Sequence, residues 1–124
     1  MNESRRKILV PILSALVAAL LTAAALYFPL FLRVTFADDQ THIFDEMRTK
    51  ALASDTTEAA QCLEYVVRYY PSGTKQVTAS FLDRIVERSR ARATADIIAY
   101  LRSRVPVDLG PAPEPWIQQY AKQP

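Results

Sequence analysis

Histidine and cysteine are common as nucleophiles, general bases and metal ligands in proteins, and each occurs once in this sequence. His42 has no second histidine and no cysteine near it, so we expect a surface side chain and no metal site. Cys62 lies among apolar residues at helical spacing, which favours a buried thiol over a nucleophile. Two glycines are too few for a glycine-rich phosphate-binding loop. We therefore expect no enzymatic activity, no cofactor and no small-molecule substrate.

Tyrosine and arginine can instead make contacts with another protein, and they are concentrated in one short stretch. Tyr65, Arg68 and Tyr69 follow Glu64 within a predicted helix. Tyrosine and arginine are favoured at the centres of protein interfaces, so this stretch predicts a surface that binds a partner. The same tyrosines would also fit between neighbouring helices with their hydroxyl groups outward. The sequence leaves both interpretations open.

A second aromatic group lies near the end of the sequence, in a proline-rich tail. Trp116, Ile117 and Tyr120 are spaced to form one apolar side of a helical turn, and Pro115 suits the first position of such a turn. We expect the tail to fold back and cover the open end of a helical domain. The alternative is a peptide-like segment offered to another protein, with Trp116 and Tyr120 as contacts.

Arginines are frequent between positions 84 and 104, a pattern that also occurs in nucleic-acid-binding helices. Acidic residues interleave with them, and Glu87 is placed to pair with Arg84 or Arg90 along a helix. The pattern therefore favours a solvated helix face and no nucleic-acid partner. If the domain faces the cytoplasm, these arginines are expected to meet anionic lipid headgroups or nucleic acid.

The longest element of the sequence is an apolar run from Ile8 to Leu32, which contains no charged side chain. A run of this length predicts a membrane-spanning helix, about 37 Å long against a hydrocarbon core of about 30 Å. A cleaved secretory signal is the alternative, because Ala23–Ala25 offers small residues for cleavage. The apolar run continues to Leu32, however, well beyond the usual apolar region of a signal, so we favour an uncleaved anchor.

Basic residues indicate the orientation of this helix. Arg5, Arg6 and Lys7 precede the run, whereas Arg33 alone follows it before Asp38 and Asp39. Because positively charged flanks stay on the cytoplasmic side, we expect residues 1–7 to form a cytoplasmic tail. The C-terminal domain would then be periplasmic or otherwise exoplasmic. The opposite topology is the alternative.

The remaining sequence favours helices, since strand-like alternation is absent. We expect a connector at 33–40, a small helical domain at 41–105 and a proline-rich tail at 106–124 that contains the Trp116 turn. Whether the helix near Thr41 continues from the span or begins after Asp39 is open. The predicted fold is thus all-α: one N-terminal transmembrane helix, a bundle of three or four helices and the tail.

Two helices of the bundle have specific signals. Asp55 followed three residues later by Glu58 matches a capping box and predicts a helix of about 15 residues that ends before Pro71. The stretch from 75 to 104 has no proline or glycine, but its apolar residues change phase by more than a right angle. We therefore expect two helices, at 75–89 and 93–104, although one kinked helix is the alternative.

The end of the bundle resembles a known class of protein. Leu101-Arg102-Ser103-Arg104, Asp108-Leu109-Gly110 and Pro115-Trp116 resemble the C-terminal end of bacterial HEAT-type helical-repeat proteins, where the last helix precedes an Asp-x-Gly element and a tryptophan-containing turn. The resemblance covers residues 97–120, and Val105-Pro106 departs from it. It implies helical hairpins, an interaction role and no catalytic residues.

These observations predict a single-pass, membrane-anchored accessory or scaffold subunit of a bacterial membrane complex. Its expected partners are the lipid bilayer and another membrane or envelope protein. A periplasmic helical module released by signal cleavage is one alternative. A cytoplasmic-facing basic module that contacts lipid or nucleic acid is the other.

Overall fold

The computed structural model describes residues 2–122. This part of the chain contains four α-helices and no strand, which confirms the all-α prediction: α1 covers Glu3–Leu52, α2 covers Thr56–Arg68, α3 covers Phe81–Arg104 and α4 covers Pro113–Tyr120. The chain divides into two compact units, Met1–Val34 and Thr35–Pro124.

The first unit is the apolar half of α1, and nearly all of its side chains are exposed. The hydroxyl groups of Ser14 and Thr22 donate to the carbonyl oxygens of Val10 and Ala18, at 2.9 Å and 2.8 Å. Both polar side chains are thus satisfied within the helix, as a lipid environment requires. By length and composition, α1 is long and apolar enough to cross a membrane.

Residues 33–40 do not form the expected connector, because they lie inside α1. Ala37, Gln40, Phe44 and Ala51 are buried at helical spacing and form the inward face of α1 in the second unit. Asp38 is exposed on the outer side of the helix. The packing of this inward face therefore keeps α1 continuous, although Asp38 and Asp39 could have begun a new helix.

Helix α2 follows the local signals in the sequence. The Asp55 carboxylate accepts a hydrogen bond of 2.8 Å from the Glu58 amide, which confirms the predicted cap. The helix has 13 residues and ends two residues before Tyr70. It buries one face in the core, including Leu63, Val66 and Cys62.

Helix α3 is continuous, so the expectation of two helices was wrong. Its inward stripe includes charged residues and has regular helical spacing: Asp83, Val86, Arg90, Ala93, Ile97, Ile98 and Leu101. The apparent change of phase arose from Phe81 and Ile85, which are apolar but face solvent. Ser80 caps the helix, and its hydroxyl oxygen accepts from the Asp83 amide at 3.2 Å.

The proline-rich tail folds back onto the helical unit, as expected. Helix α4 packs against α2, and the Trp116 side chain is fully buried, with 0 % exposure. Its indole nitrogen donates to the carbonyl oxygen of Gly110 at 2.8 Å. Pro113 is the first residue of α4. The expectation of Pro115 in that position was therefore wrong by two residues.

Candidate functional site

The outer side of α2 carries an open groove that is lined mainly by tyrosines. We call it the aromatic groove and define it by Gln61, Glu64, Tyr65, Arg68, Tyr69, Tyr70 and Pro71. Its cavity volume is about 610 Å³. A concave surface with apolar walls and a few polar groups at its edge is the usual form of a binding site.

The three tyrosines differ in how deeply they are held. The Tyr65 and Tyr69 rings, one helical turn apart, stack with their centroids 5.2 Å apart. Tyr69 also meets Phe44 and Tyr70 edge to face, at 6.2 Å and 4.7 Å between centroids. Tyr69 packs partly against the core, whereas Tyr65 and Tyr70 remain 46 % and 41 % exposed. Tyr69 therefore anchors the groove, and Tyr65 and Tyr70 remain partly open to solvent.

Arg68 forms the charged edge of the groove. Its guanidinium donates to the Glu64 carboxylate on α2 and to the Glu114 carboxylate on α4, the latter at 3.3 Å. Exposed ion pairs of this kind contribute roughly 0–1 kcal/mol, so Arg68 can exchange either partner for an incoming carboxylate at small cost.

The hydroxyl group of Tyr69 stays protonated at neutral pH. Burial raises the pKa of Tyr69 above its ordinary value, and the negative charge of Asp39 raises it further. The groove is therefore lined by a neutral phenol and by the Arg68 guanidinium.

The inner wall of the groove rests on Arg90 of α3, which is only 8 % exposed. Its guanidinium donates to four carbonyl oxygens at the C-terminal end of α2: Val66 at 2.6 Å, Val67 at 3.4 Å, Tyr69 at 2.8 Å and Tyr70 at 2.7 Å. The last carbonyls of a helix have no partner within the helix and carry partial negative charge, so a cation there is stabilising. Arg90 is thus the C-terminal cap of α2.

This role of Arg90 corrects the expectation that it lies on a solvated face. Its pairing with Glu87 was predicted and is confirmed, with 3.1 Å between the guanidinium and the carboxylate. The guanidinium also lies 4.7 Å from the centroid of the Phe44 ring. The sequence contains a signal for the burial of Arg90 that the interpretation of the charge pattern missed. Arg90 lies in helical register with the buried residues Ala93 and Ile97.

The predicted contact residues divide into two groups. The structure brings Tyr65, Arg68 and Tyr69 together in the aromatic groove. Trp116, in contrast, is buried in the core and has no surface to offer, so its assignment as a partner contact was wrong. Tyr120 is half-buried and stacks on Trp116, with ring centroids 6.1 Å apart.

The remaining side chains that could act as nucleophiles, bases or metal ligands do not cluster. Cys62 is buried, as expected, and desolvation raises the pKa of its thiol. His42 is exposed. Among residues 2–122 no group of three metal-ligating side chains comes together. Arg5, Arg6 and Lys7, the predicted orientation signal, lie exposed in the first unit.

Three arginines on the outer side of α3 match the predicted solvated face. Arg84, Arg88 and Arg92 are exposed and form no ion pair within the described part of the chain. Arg48 of α1, in contrast, binds Asp96 of α3 at 2.6 Å. This pair ties the two helices together, and Arg48 also lines a polar cleft of about 340 Å³.

Comparison of the chain with protein-family models, curated proteins and solved structures finds no match. Architecture and surface chemistry therefore define the class to which the chain can be assigned. It is an all-helical chain with a candidate membrane span near its N-terminus and a helical unit that carries the aromatic groove.

Proposed function

We propose that the chain is a single-pass, membrane-anchored accessory subunit whose aromatic groove binds another membrane or envelope protein. The observation that carries this proposal is the exposure of Tyr65 and Tyr70 beside a groove that the fold of the chain leaves open. Large aromatic rings with a polar tip bury much area at small entropic cost, which makes them effective binding residues.

The groove favours a partner segment with two chemical features. An apolar or aromatic side chain would lie against the Tyr65 and Tyr70 rings, and a carboxylate would replace Glu64 or Glu114 at Arg68.

A photo-crosslinking experiment tests the groove. Tyr65 is replaced by p-benzoylphenylalanine in the full chain, in cells that naturally produce it, and irradiation is followed by mass spectrometry. We expect an adduct with one membrane protein, reduced several-fold by the additional substitution Arg68→Glu. The matched control places the crosslinker at Ala95, an exposed position on α3. An adduct of equal yield from Ala95, or no adduct from position 65, contradicts the proposal.

For the anchor we propose an N-terminus in the cytoplasm and a helical unit on the exoplasmic side. The support is the excess of Arg5, Arg6 and Lys7 before the apolar run. Alkaline phosphatase fused after Pro124 is expected to be active, whereas a fusion within the first seven residues is expected to be inactive. Activity of the second fusion alone would show the opposite topology.

Release by signal cleavage is the alternative, and the mature N-terminus decides it. We expect peptides that begin at Met1 or Asn2 from the membrane fraction. A mature chain that begins near Leu26, recovered from the soluble periplasmic fraction, would show a released binding module instead.

A further inference from the structure

The segment between α2 and α3 is an ordered loop, which we call the α2–α3 loop and define as residues 69–80. Asp83 is buried beneath it and accepts hydrogen bonds from the Ser72 hydroxyl at 2.7 Å and the Ala79 amide at 3.0 Å. The bond from Ser72 in particular holds the pKa of Asp83 below its ordinary value, so the carboxylate stays charged. Gln76 is also buried.

Backbone geometry also specifies this loop. Gly73 has φ +85°, and a Cβ atom there would lie 2.3 Å from the Thr78 hydroxyl oxygen. Tyr70 and Ala79 adopt positive φ as well, at 40° and 62°. Such conformations cost about 1–3 kcal/mol each and persist only where the surrounding contacts hold them. The loop is therefore held in one shape by its contacts.

That shape directs apolar side chains outward. Val77 in the loop and Phe81 at the start of α3 are 55 % and 70 % exposed. Burial of both in an apolar environment would contribute about 1.5–3 kcal/mol for each fully buried side chain. An ordered loop that displays apolar side chains in this way suits contact with an apolar phase.

Cationic and aromatic residues are close to Val77 and Phe81 along the chain. The Lys75 ammonium lies 4.7 Å from the centroid of the Phe36 ring and 4.5 Å from that of the Tyr70 ring. Arg84, one turn beyond Phe81, is exposed and forms no ion pair within residues 2–122. Aromatic side chains with lysine and arginine are the composition of protein surfaces that lie in the headgroup layer of a bilayer.

Chain connectivity places that layer within reach. Phe36 follows Leu32, the last residue of the apolar run, by four residues. Four residues extend over at most about 14 Å in any backbone conformation. Lys75 contacts Phe36, and Val77 is two residues from Lys75 along the chain. The first acidic residues after the apolar run are Asp38 and Asp39, which are exposed and follow Phe36 along the chain.

We propose that the α2–α3 loop binds the surface of the bilayer that anchors the chain. Val77 and Phe81 insert at the boundary between headgroups and acyl chains, and Lys75 and Arg84 lie at the lipid phosphates. The proposal rests on the proposed membrane anchor. Its consequence is a second point of attachment between the chain and the bilayer.

Spin-label depth measurements on the full chain test this contact. Val77→Cys carries a nitroxide, and the chain is reconstituted in vesicles of phosphatidylcholine with phosphatidylglycerol. Collisions with oxygen, which is concentrated in lipid, are compared with collisions with a water-soluble nickel chelate. The native Cys62 is buried, and a mass spectrum verifies a single label. Phe81→Cys provides a second position.

The matched control is Ala95→Cys, an exposed position on the same helix, about 21 Å beyond Phe81 along α3. We expect an oxygen-to-nickel ratio several-fold higher at positions 77 and 81 than at position 95. Equal ratios at all three positions would overturn the proposal. A water-exposed label at 77 that becomes shielded only after a partner protein is added would also overturn it and assign the loop to protein contact.

A label at Leu20→Cys separates the two proposals. If position 20 reports lipid and position 77 reports water, the anchor stands and the loop contact fails. If position 20 also reports water, the proposed anchor itself fails.

Discussion

Two aromatic regions of the helical unit, for each of which partner contact was one of two interpretations of the sequence, have opposite environments. At Trp116 the ring is enclosed and its nitrogen donates to the Gly110 carbonyl, so all of its binding capacity is used within the fold. At Tyr65 and Tyr70 the rings lie beside an open groove. An aromatic residue is thus a structural or a binding element according to whether another helix covers it. Trp116 lies on α4, and the packing of α4 against α2 provides that cover.

The largest effect on stability is expected from removal of the buried Trp116 side chain. Trp116→Ala is expected to lower the free energy of unfolding by about 3–5 kcal/mol, because it leaves a cavity in the core and removes a buried hydrogen bond. Chemical denaturation of the full chain in detergent, followed by circular dichroism, measures this change. Trp116→Phe serves as the milder variant. A loss below about 1 kcal/mol for Trp116→Ala would contradict full burial.

The second largest effect is expected at Arg90, which binds the backbone behind the aromatic groove. Arg90→Met is expected to lower the free energy of unfolding by about 2–3 kcal/mol, since buried carbonyl oxygens at the end of α2 lose their donor. The control is Arg88→Met, an exposed position on α3, with an expected change within about 0.5 kcal/mol. Equal losses for the two variants would show that the Arg90 cap contributes nothing.

A smaller effect, with a characteristic pH dependence, is expected beneath the α2–α3 loop. Because the folded pKa of Asp83 is lowered from 3.8, its stabilising contribution is complete above the unfolded pKa and is lost as the pH falls through the folded pKa. Asp83→Asn is therefore expected to lower stability by about 1 kcal/mol at neutral pH, and the difference should disappear in acid. Denaturation curves from pH 7 to pH 2 give the comparison. Asp38→Asn, at an exposed position, is the control.

The smallest effect on stability is expected in the aromatic groove itself. Tyr65→Ala is expected to lower the free energy of unfolding by about 0.5–1 kcal/mol, since the side chain is 46 % exposed and loses only its stacking on Tyr69. With the photo-crosslinker placed at position 69, the Tyr65→Ala variant is expected to give a lower crosslink yield to the partner than the chain that retains Tyr65. Destabilisation comparable to that of Trp116→Ala would show that Tyr65 belongs to the core.

The sequence predicted the parts of the fold that depend on local signals. The Asp55 cap and the length of the apolar run follow from residues close together in the chain. The continuity of α3 could not be predicted in the same way, because Asp83 and Arg90 lie on its buried face and interrupt the apolar pattern. Their partners are Ser72 and the last carbonyls of α2, which only the tertiary structure brings near.

The aromatic groove was predicted in part for the same reason. Tyr65, Arg68 and Tyr69 lie within one helix, so their proximity follows from helical spacing. Tyr70 and Pro71 join them only because the chain turns sharply after α2. The burial of Trp116 depends on contacts with α2 that no local pattern encodes.

The Arg90 cap has a consequence for affinity as well as for stability. Binding usually costs about 0.5–1.5 kcal/mol for each flexible side chain that becomes ordered in an interface. Arg90 already holds the backbone of Tyr69 and Tyr70, and Tyr69 is wedged between Phe44 and Tyr65. Much of the ordering is therefore completed when the chain folds. A partner that enters the groove meets a preorganised surface, and its association is opposed by less conformational entropy.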